Sequence, residues 1–203
     1  MSASDPVQSS GRAEDARRAR ILEAAERLVL AYGYHRVTMD DLARAAGISR
    51  PTLYLSFRNK ADVYRAISGL VLDQSAATAE RILSGPGRVE ELLIRAMDEA
   101  AFALLRRFLA TPHGAEILDL KNELAGDLHG QWRKRIIEAI AGLIRRQAGD
   151  GPARHELTPE GVAMVFMAAL EGLKLHGDDQ AAMHEAFRQL VRMTALSIGL
   201  AGR

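Results

Sequence analysis

Apolar residues recur at helical spacing along almost the whole of this 203-residue chain. No segment alternates polar and apolar residues with the period of two that indicates a half-buried strand. Aromatic residues, which strands favour, make up only 5% of the sequence. The pattern therefore predicts an all-α protein of about nine helices.

Local signals divide this pattern into a small N-terminal head and a larger helical bundle. Residues 1–13 are rich in Ser, Asp, Pro and Gly, so we expect a disordered tail there. The head is predicted over residues 14–62 and the bundle over residues 63–203. Capping residues, glycines and prolines place the helices at about 14–31, 39–46, 50–57, 60–84, 88–110, 112–125, 127–148, 159–176 and 179–200.

Several protein classes are disfavoured by what the sequence lacks. The chain has no cysteine, which excludes disulfide scaffolds and Cys-ligated metal sites. Its longest uncharged apolar run, residues 161–170, is about half of what a membrane span requires. The N-terminus has no apolar segment typical of a secretory signal. We therefore expect a soluble, cytoplasmic protein without a membrane partner.

Catalytic motifs are also missing. The sequence contains no Gly-rich phosphate loop, no GxSxG elbow and no HExxH motif. Its six histidines are scattered without the spacing of metal ligands. We expect neither an enzyme nor a bound metal or cofactor.

The charge is distributed unevenly along the chain. Residues 11–65 contain 11 Lys and Arg against 7 Asp and Glu, whereas residues 66–203 contain 16 against 18. A basic head on a mildly acidic bundle is typical of a protein whose head binds a polyanion, although solvated helix faces also produce such a difference.

Residues 38–57 have the pattern of a helix-turn-helix. Thr38 and Ser49 are N-cap residues for two short helices, and Gly47 allows the tight turn between them. Such a motif places its second helix in the major groove of DNA. Arg50 stands at the N-terminal end of that helix, and Arg to guanine is the commonest specific contact.

A more specific resemblance extends over residues 17–64, RRARILEAAERLVLAYGYHRVTMDDLARAAGISRPTLYLSFRNKADVY. This stretch resembles the DNA-binding domain of the TetR/AcrR family of bacterial transcriptional regulators. The matching motifs are ILEAA with Gly33, the Thr38–Ala43 run, Ala46–Ser49, Thr52–Tyr54, Phe57 and Asn59-Lys60. The remaining residues match the family only in helix layout and length.

The resemblance implies roles for individual residues of the head. Thr38, Tyr54 and Lys60 would contact phosphate, Arg50 and Thr52 would contact bases, and Arg44 would reach either. Thr38 could serve as a cap alone, Arg44 could be merely solvated, and the ring of Tyr54 could belong to the core. Two positions depart from the family pattern. Asp40 stands where some relatives carry a basic base-reading residue, and Ser56 replaces the usual aromatic residue or His.

The last two helices of the bundle have apolar residues on nearly all sides. A large monomer core would explain this, but the family dimerises through these two helices. The resemblance therefore implies a homodimer, with an interface that includes Val162, Phe166, Leu170, Phe187, Leu190 and Val191.

Helical bundles commonly build ligand sites between their helices. The resemblance implies a pocket for an unidentified small-molecule inducer, expected to be small and apolar. Candidate lining residues are Met97, Phe102, Trp132, Met164 and Met167, any of which could instead be plain core.

The resulting prediction is a ligand-responsive repressor that binds a palindromic double-stranded DNA operator as a homodimer and is associated with the bacterial nucleoid when bound. The alternatives are an activator, an inducer-independent DNA binder of the same fold, and a helical ligand carrier or enzyme whose head is vestigial.

Overall fold

The computed structural model describes residues 6–149, 152, 156–176 and 180–200, and within them the regular elements are helices. This confirms the predicted all-α fold. The α-helices are α1 (Pro6–Tyr32), α2 (Met39–Ala45), α3 (Arg50–Ser56), α4 (Lys60–Ser84), α5 (Val89–Ala96), α6 (Ala103–Leu109), α7 (Gly114–Ala148), α8 (Pro159–His176) and α9 (Gln180–Ser197), with a π-helical segment (Met97–Phe102) joining α5 to α6.

The two short helices of the head begin at well-formed N-caps. The hydroxyl oxygen of Thr38 accepts a hydrogen bond from the Asp41 backbone N–H, and the Asp41 side chain accepts one from the Thr38 backbone N–H. Ser49 caps α3 in the same way, by accepting from the Thr52 N–H. Because these signals are local, the predicted starts of both helices agree with the structure.

Helix boundaries differ from the sequence prediction in the first helix and in the helix predicted over residues 88–110, which a π-helical segment divides. Helix α1 begins at Pro6 instead of residue 14, with proline at a position where its missing N–H breaks no helical bond. Part of the predicted tail is thus helical, while residues 1–5 lie outside the described residues. The break predicted between a helix ending near residue 125 and one beginning near residue 127 is confirmed, because the element α7 is interrupted by non-helical backbone at Ala125.

The chain divides into two compact units. The first contains Met1–Val71 and Leu105–His129, and the second contains Leu72–Leu104 and Gly130–Arg203. The first unit is therefore larger than the predicted head, because residues 105–129 are packed with it. Ile117, Leu120 and Ala125 of α7 are buried in the same core as Leu42 and Leu53 of the helix-turn-helix.

Two successive hydrogen bonds link polar groups within the apolar core of the second unit. The Trp132 indole N–H donates to the Ser75 hydroxyl at 3.0 Å, and that hydroxyl donates to the Ala100 carbonyl at 3.0 Å. Ala100 lies in the π-helical segment. Buried polar groups are stable when they are paired in this way.

Within the described ranges, none of the helices has the length and apolar character required to cross a bilayer.

Candidate nucleic-acid interface

The frame of the site is the helix-turn-helix formed by α2 and α3. Leu42, Ala43 and Leu53 are buried where the two helices pack. The turn is closed by a hydrogen bond from the Ile48 N–H to the Ala43 carbonyl at 3.0 Å. Gly47 in this turn has a φ of +65°, a conformation that side chains with a Cβ rarely adopt.

One face of α3 is open to solvent. Its exposed residues are Arg50, Pro51, Tyr54 and Leu55, whereas Leu53 and the following Phe57 are buried. Leu55 is 82% exposed, which is unusual for an apolar side chain in the head. This face is the one that a recognition helix presents to the major groove.

Arg50 is held in place by an acidic residue of the neighbouring helix. Its Nη1 donates to Oδ2 of Asp40 at 3.2 Å, and its Nε lies 3.0 Å from Oδ1. The guanidinium carbon lies 5.7 Å from the centroid of the Tyr54 ring. A hydrogen bond with the Tyr54 side chain and, to a smaller extent, the negative charge of Asp40 raise the pKa of Arg50. The expected base reader is therefore charged and partly ordered on the protein surface.

Thr38 and Thr52 are expected to contact DNA, but their hydroxyl groups already take part in the N-caps of α2 and α3. The Thr38 hydroxyl donates to Oδ2 of Asp41 at 2.6 Å, and this bond is the main reason why the pKa of Asp41 is lowered. The Thr52 and Ser49 hydroxyl oxygens lie 2.7 Å apart. Both threonines therefore have a structural role, and their DNA contacts stay predictions.

Lys60 points into the first unit. Its ammonium donates to the carbonyls of Tyr34 at 2.7 Å and His35 at 3.3 Å, and it lies 4.4 Å from the centroid of the Tyr34 ring. Burial lowers its pKa. Two of the three ammonium donors are thus used, so a phosphate contact would have to use the third.

Lys60→Met is expected to destabilise the first unit, because it leaves the Tyr34 carbonyl without its charged donor. Loss of such a bond costs about 1–2 kcal/mol of unfolding free energy, to be measured by urea denaturation. Lys134→Met is the matched control, since Lys134 is exposed and its Nζ lies 3.9 Å from Glu138. If Lys60→Met weakened DNA binding without loss of stability, a phosphate contact would be its main role.

Arg44 and two further arginines complete the basic surface of the head. Arg44 is well exposed on α2, with Nη1 3.4 Å from Oδ1 of Asp41. Arg18, which no sequence motif indicated, stacks its guanidinium on the Phe57 ring at 4.5 Å. Arg18 and Arg58 line an open groove of about 450 Å³ at the end of α3, together with Tyr54. Only the fold reveals that these separated residues are neighbours.

The predicted pocket residues lie in different environments of the second unit. Met97, Phe102 and Met167 are buried in its core, and Trp132 is half-buried with its N–H paired to Ser75. Met97 and Phe102 are the two ends of the π-helical segment. Met164 is exposed, so it does not line the interior of the bundle.

The predicted dimer residues are mostly buried by their own chain. Leu190 is half-buried, and five are fully buried in the core of the second unit: Val162, Phe166, Leu170, Phe187 and Val191. Among the side chains that the structure describes in α8 and α9, the large apolar ones left exposed are Met164, Val165, Met193 and Leu196. The Phe166 and Phe187 rings are 6.3 Å apart, so α8 and α9 pack against each other at these residues.

In the part of the chain that is described, no three His, Asp or Glu side chains are grouped so that they could hold a metal ion.

Comparison with known proteins identifies the family. The family model for "Bacterial regulatory proteins, tetR family" matches residues 21–67. The HTH-type transcriptional regulator ArpR of Pseudomonas putida is 30% identical over 170 residues, which cover 77% of each chain. TtgR, a second HTH-type transcriptional regulator from Pseudomonas putida, is 29% identical over 170 residues, again 77% of each chain.

Solved structures show the same fold. SmeT, the repressor of the Stenotrophomonas maltophilia multidrug efflux pump SmeDEF, matches with a TM-score of 0.65 and 18% identity, over 92% of this chain and 94% of that chain. The exposed recognition face of α3 and the similarity to regulators along most of the chain lead to one conclusion. The chain belongs to the TetR family, and it is a DNA-binding transcriptional regulator and not an enzyme.

Proposed function

We propose that this protein is a ligand-responsive repressor that acts as a homodimer on a palindromic operator in the bacterial cytoplasm, and is associated with the nucleoid when bound. The observation that carries the proposal is the exposed face of α3, with Arg50 at its N-terminal end. Arg50 reads bases, whereas Arg44, Tyr54 and the third donor of Lys60 contact the DNA backbone.

The exposed residues of α8 and α9 support self-association. Met164, Val165, Met193 and Leu196 are large, exposed apolar side chains on two helices that pack against each other. Burial of such exposed apolar side chains is favourable because it removes them from water. In a dimer with a two-fold axis, this surface of one copy packs against the same surface of the other. This interface would use the exposed residues in place of the buried ones predicted from the sequence.

A two-fold dimer determines the form of the operator. Two recognition helices related by a two-fold axis bind in successive major grooves, which are about 34–36 Å apart. The operator is therefore an inverted repeat whose half-sites are about one helical turn apart. Selection from a random duplex library tests this directly, and a single asymmetric half-site would contradict it.

The core of the second unit supports a ligand site. Met97 and Phe102 belong to a π-helical segment, and such segments occur frequently at functional sites. Met167 and Trp132 pack in the same core. A small apolar ligand bound among these side chains would shift the population between a DNA-competent and an incompetent state.

Arg50→Ala is expected to remove preference at one base pair of each half-site. The loss on the selected duplex is about 1–3 kcal/mol per base contact, with a much smaller effect on a scrambled duplex. Binding to both duplexes would be measured across a salt titration. Arg95→Ala is the matched control, because it removes an exposed arginine of the second unit that pairs with Glu99. Equal weakening of both duplexes by Arg50→Ala would make Arg50 a phosphate contact.

A further inference from the structure

We infer that Asp40 determines the stringency of base recognition by fixing the guanidinium of Arg50 before DNA is bound. Asp40 is a positioning residue in this assignment, since it acts through Arg50. The inference rests on the base-reading role proposed above for Arg50.

The geometry links two helices of the motif. Asp40 lies in the first turn of α2 and Arg50 is the first residue of α3. The carboxylate contacts the guanidinium at two points, from Oδ2 to Nη1 at 3.2 Å and from Oδ1 to Nε at 3.0 Å. The Tyr54 ring, 5.7 Å away, also borders the guanidinium. These contacts favour one orientation of a long side chain that would otherwise sample many rotamers.

The contacts leave Arg50 able to read a base. A guanidinium has five N–H donors, and one of them, on Nη1, is hydrogen-bonded to Asp40, while Nε lies beside the other carboxylate oxygen. Asp40 leaves both hydrogens of Nη2 and the second hydrogen of Nη1 for O6 and N7 of guanine, which need two donors. Asp40 thus restricts the orientation of the guanidinium without occupying all of its donors.

The other acidic residue in this turn cannot take the same role. The carboxylate of Asp41 closes the capping box of α2 by accepting from the hydroxyl and the backbone N–H of Thr38. Asp40 is not part of that capping box, so its carboxylate can bind Arg50 without disrupting the N-cap of α2.

The pair contributes more to selectivity than to folding. Both side chains are more than half exposed, at 59% for Arg50 and 52% for Asp40, and exposed ion pairs add little stability. Ordering Arg50 in advance lowers the conformational entropy lost on binding. If Arg50 swung away to a phosphate, Asp40 would be left unpaired beside a polyanion. Non-specific arrangements are thereby disfavoured relative to the specific one.

Asp40→Asn tests the inference on the duplex selected from a random library. The base pair of interest is the one whose preference Arg50→Ala removes. We expect Asp40→Asn to lower discrimination at that base pair about 5- to 10-fold, within the range that one good base contact supplies. Affinity for a scrambled duplex should rise a few-fold, roughly as expected for one negative charge removed from the binding surface. Melting temperature should stay unchanged.

Two controls isolate the pair. In the Arg50→Ala background, Asp40→Asn should have no effect on discrimination, because the side chain that Asp40 positions is absent. Glu23→Gln makes the same change of net charge at another exposed salt bridge, where Arg27 Nη1 lies 2.7 Å from Glu23. It should leave discrimination unchanged.

Three results would overturn the inference. Unchanged discrimination in Asp40→Asn would show that Arg50 needs no positioning. Tighter binding to the selected duplex together with sharper discrimination would show that Asp40 only competes with DNA for Arg50. An effect that persists without Arg50 would mean that Asp40 contacts a base itself. Failure of the base-reading role is separately visible, since Arg50→Ala would then alter no base-pair preference.

Discussion

Val165→Glu is expected to convert the protein from a dimer to a monomer at micromolar concentration. Val165 is 67% exposed in a single chain, so a glutamate there meets water in the monomer and the fold is retained. In the proposed two-fold interface, the substitution would bury two carboxylates among apolar side chains. We expect self-association to weaken at least about a thousandfold, equivalent to about 4 kcal/mol.

Sedimentation velocity measures this change, and operator affinity should fall with it. Leu109→Glu is the matched control, because Leu109 is an apolar residue that is 51% exposed but lies at the end of α6. The Leu109→Glu variant should remain a dimer. A wild-type protein that is monomeric at this concentration would contradict the proposed interface. Phe166→Glu should unfold the second unit instead, since Phe166 is buried by its own chain.

Gly114→Ala is expected to destabilise the first unit by about 3 kcal/mol or more, as changes that force the backbone to move commonly do. A Cβ at this position would overlap the carbonyl carbon and oxygen of Phe108. That carbonyl accepts hydrogen bonds from the N–H and the hydroxyl of Thr111, at 2.9 and 2.7 Å. Relief of the overlap therefore requires the connection between α6 and α7 to shift.

Gly130→Ala provides the control, and we expect the opposite sign. Gly130 lies in the same helix, and among the described residues a Cβ there would meet nothing within 4 Å beyond the helix's own backbone. Alanine in a helix interior is more favourable than glycine by about 0.5–1 kcal/mol. Thermal and urea unfolding of both variants would measure the difference. Equal stability of the two would show that the Phe108 carbonyl moves at little cost.

The fold of the head could be predicted because its signals are local. Thr38, Gly47 and Ser49 each act within four residues of their position, and the structure places the caps and the turn where the sequence indicates. The family resemblance rests on the same residues, and the comparisons confirm it.

The partners of the site residues could not be predicted in this way. Arg50 pairs with a residue ten positions away, and Lys60 bonds to carbonyls more than twenty positions away. Likewise, a helix that is apolar on nearly all sides does not show which side its own chain covers. Val165 and Phe166 are neighbours of similar hydrophobicity, yet one is exposed and the other buried.

The discontinuity of the first unit has a consequence for modularity. Residues 105–129 follow the helix-turn-helix by about fifty positions, but Ile117, Leu120 and Ala125 complete its core. A head exchanged between related regulators as one continuous N-terminal piece would lose these contacts. Recombination that preserves a working DNA-binding unit must therefore either carry both segments together or join a head to an α7 whose side chains already fit it. Changes in operator preference are then easier to acquire on the solvent-exposed face of α3 than by replacement of the whole head.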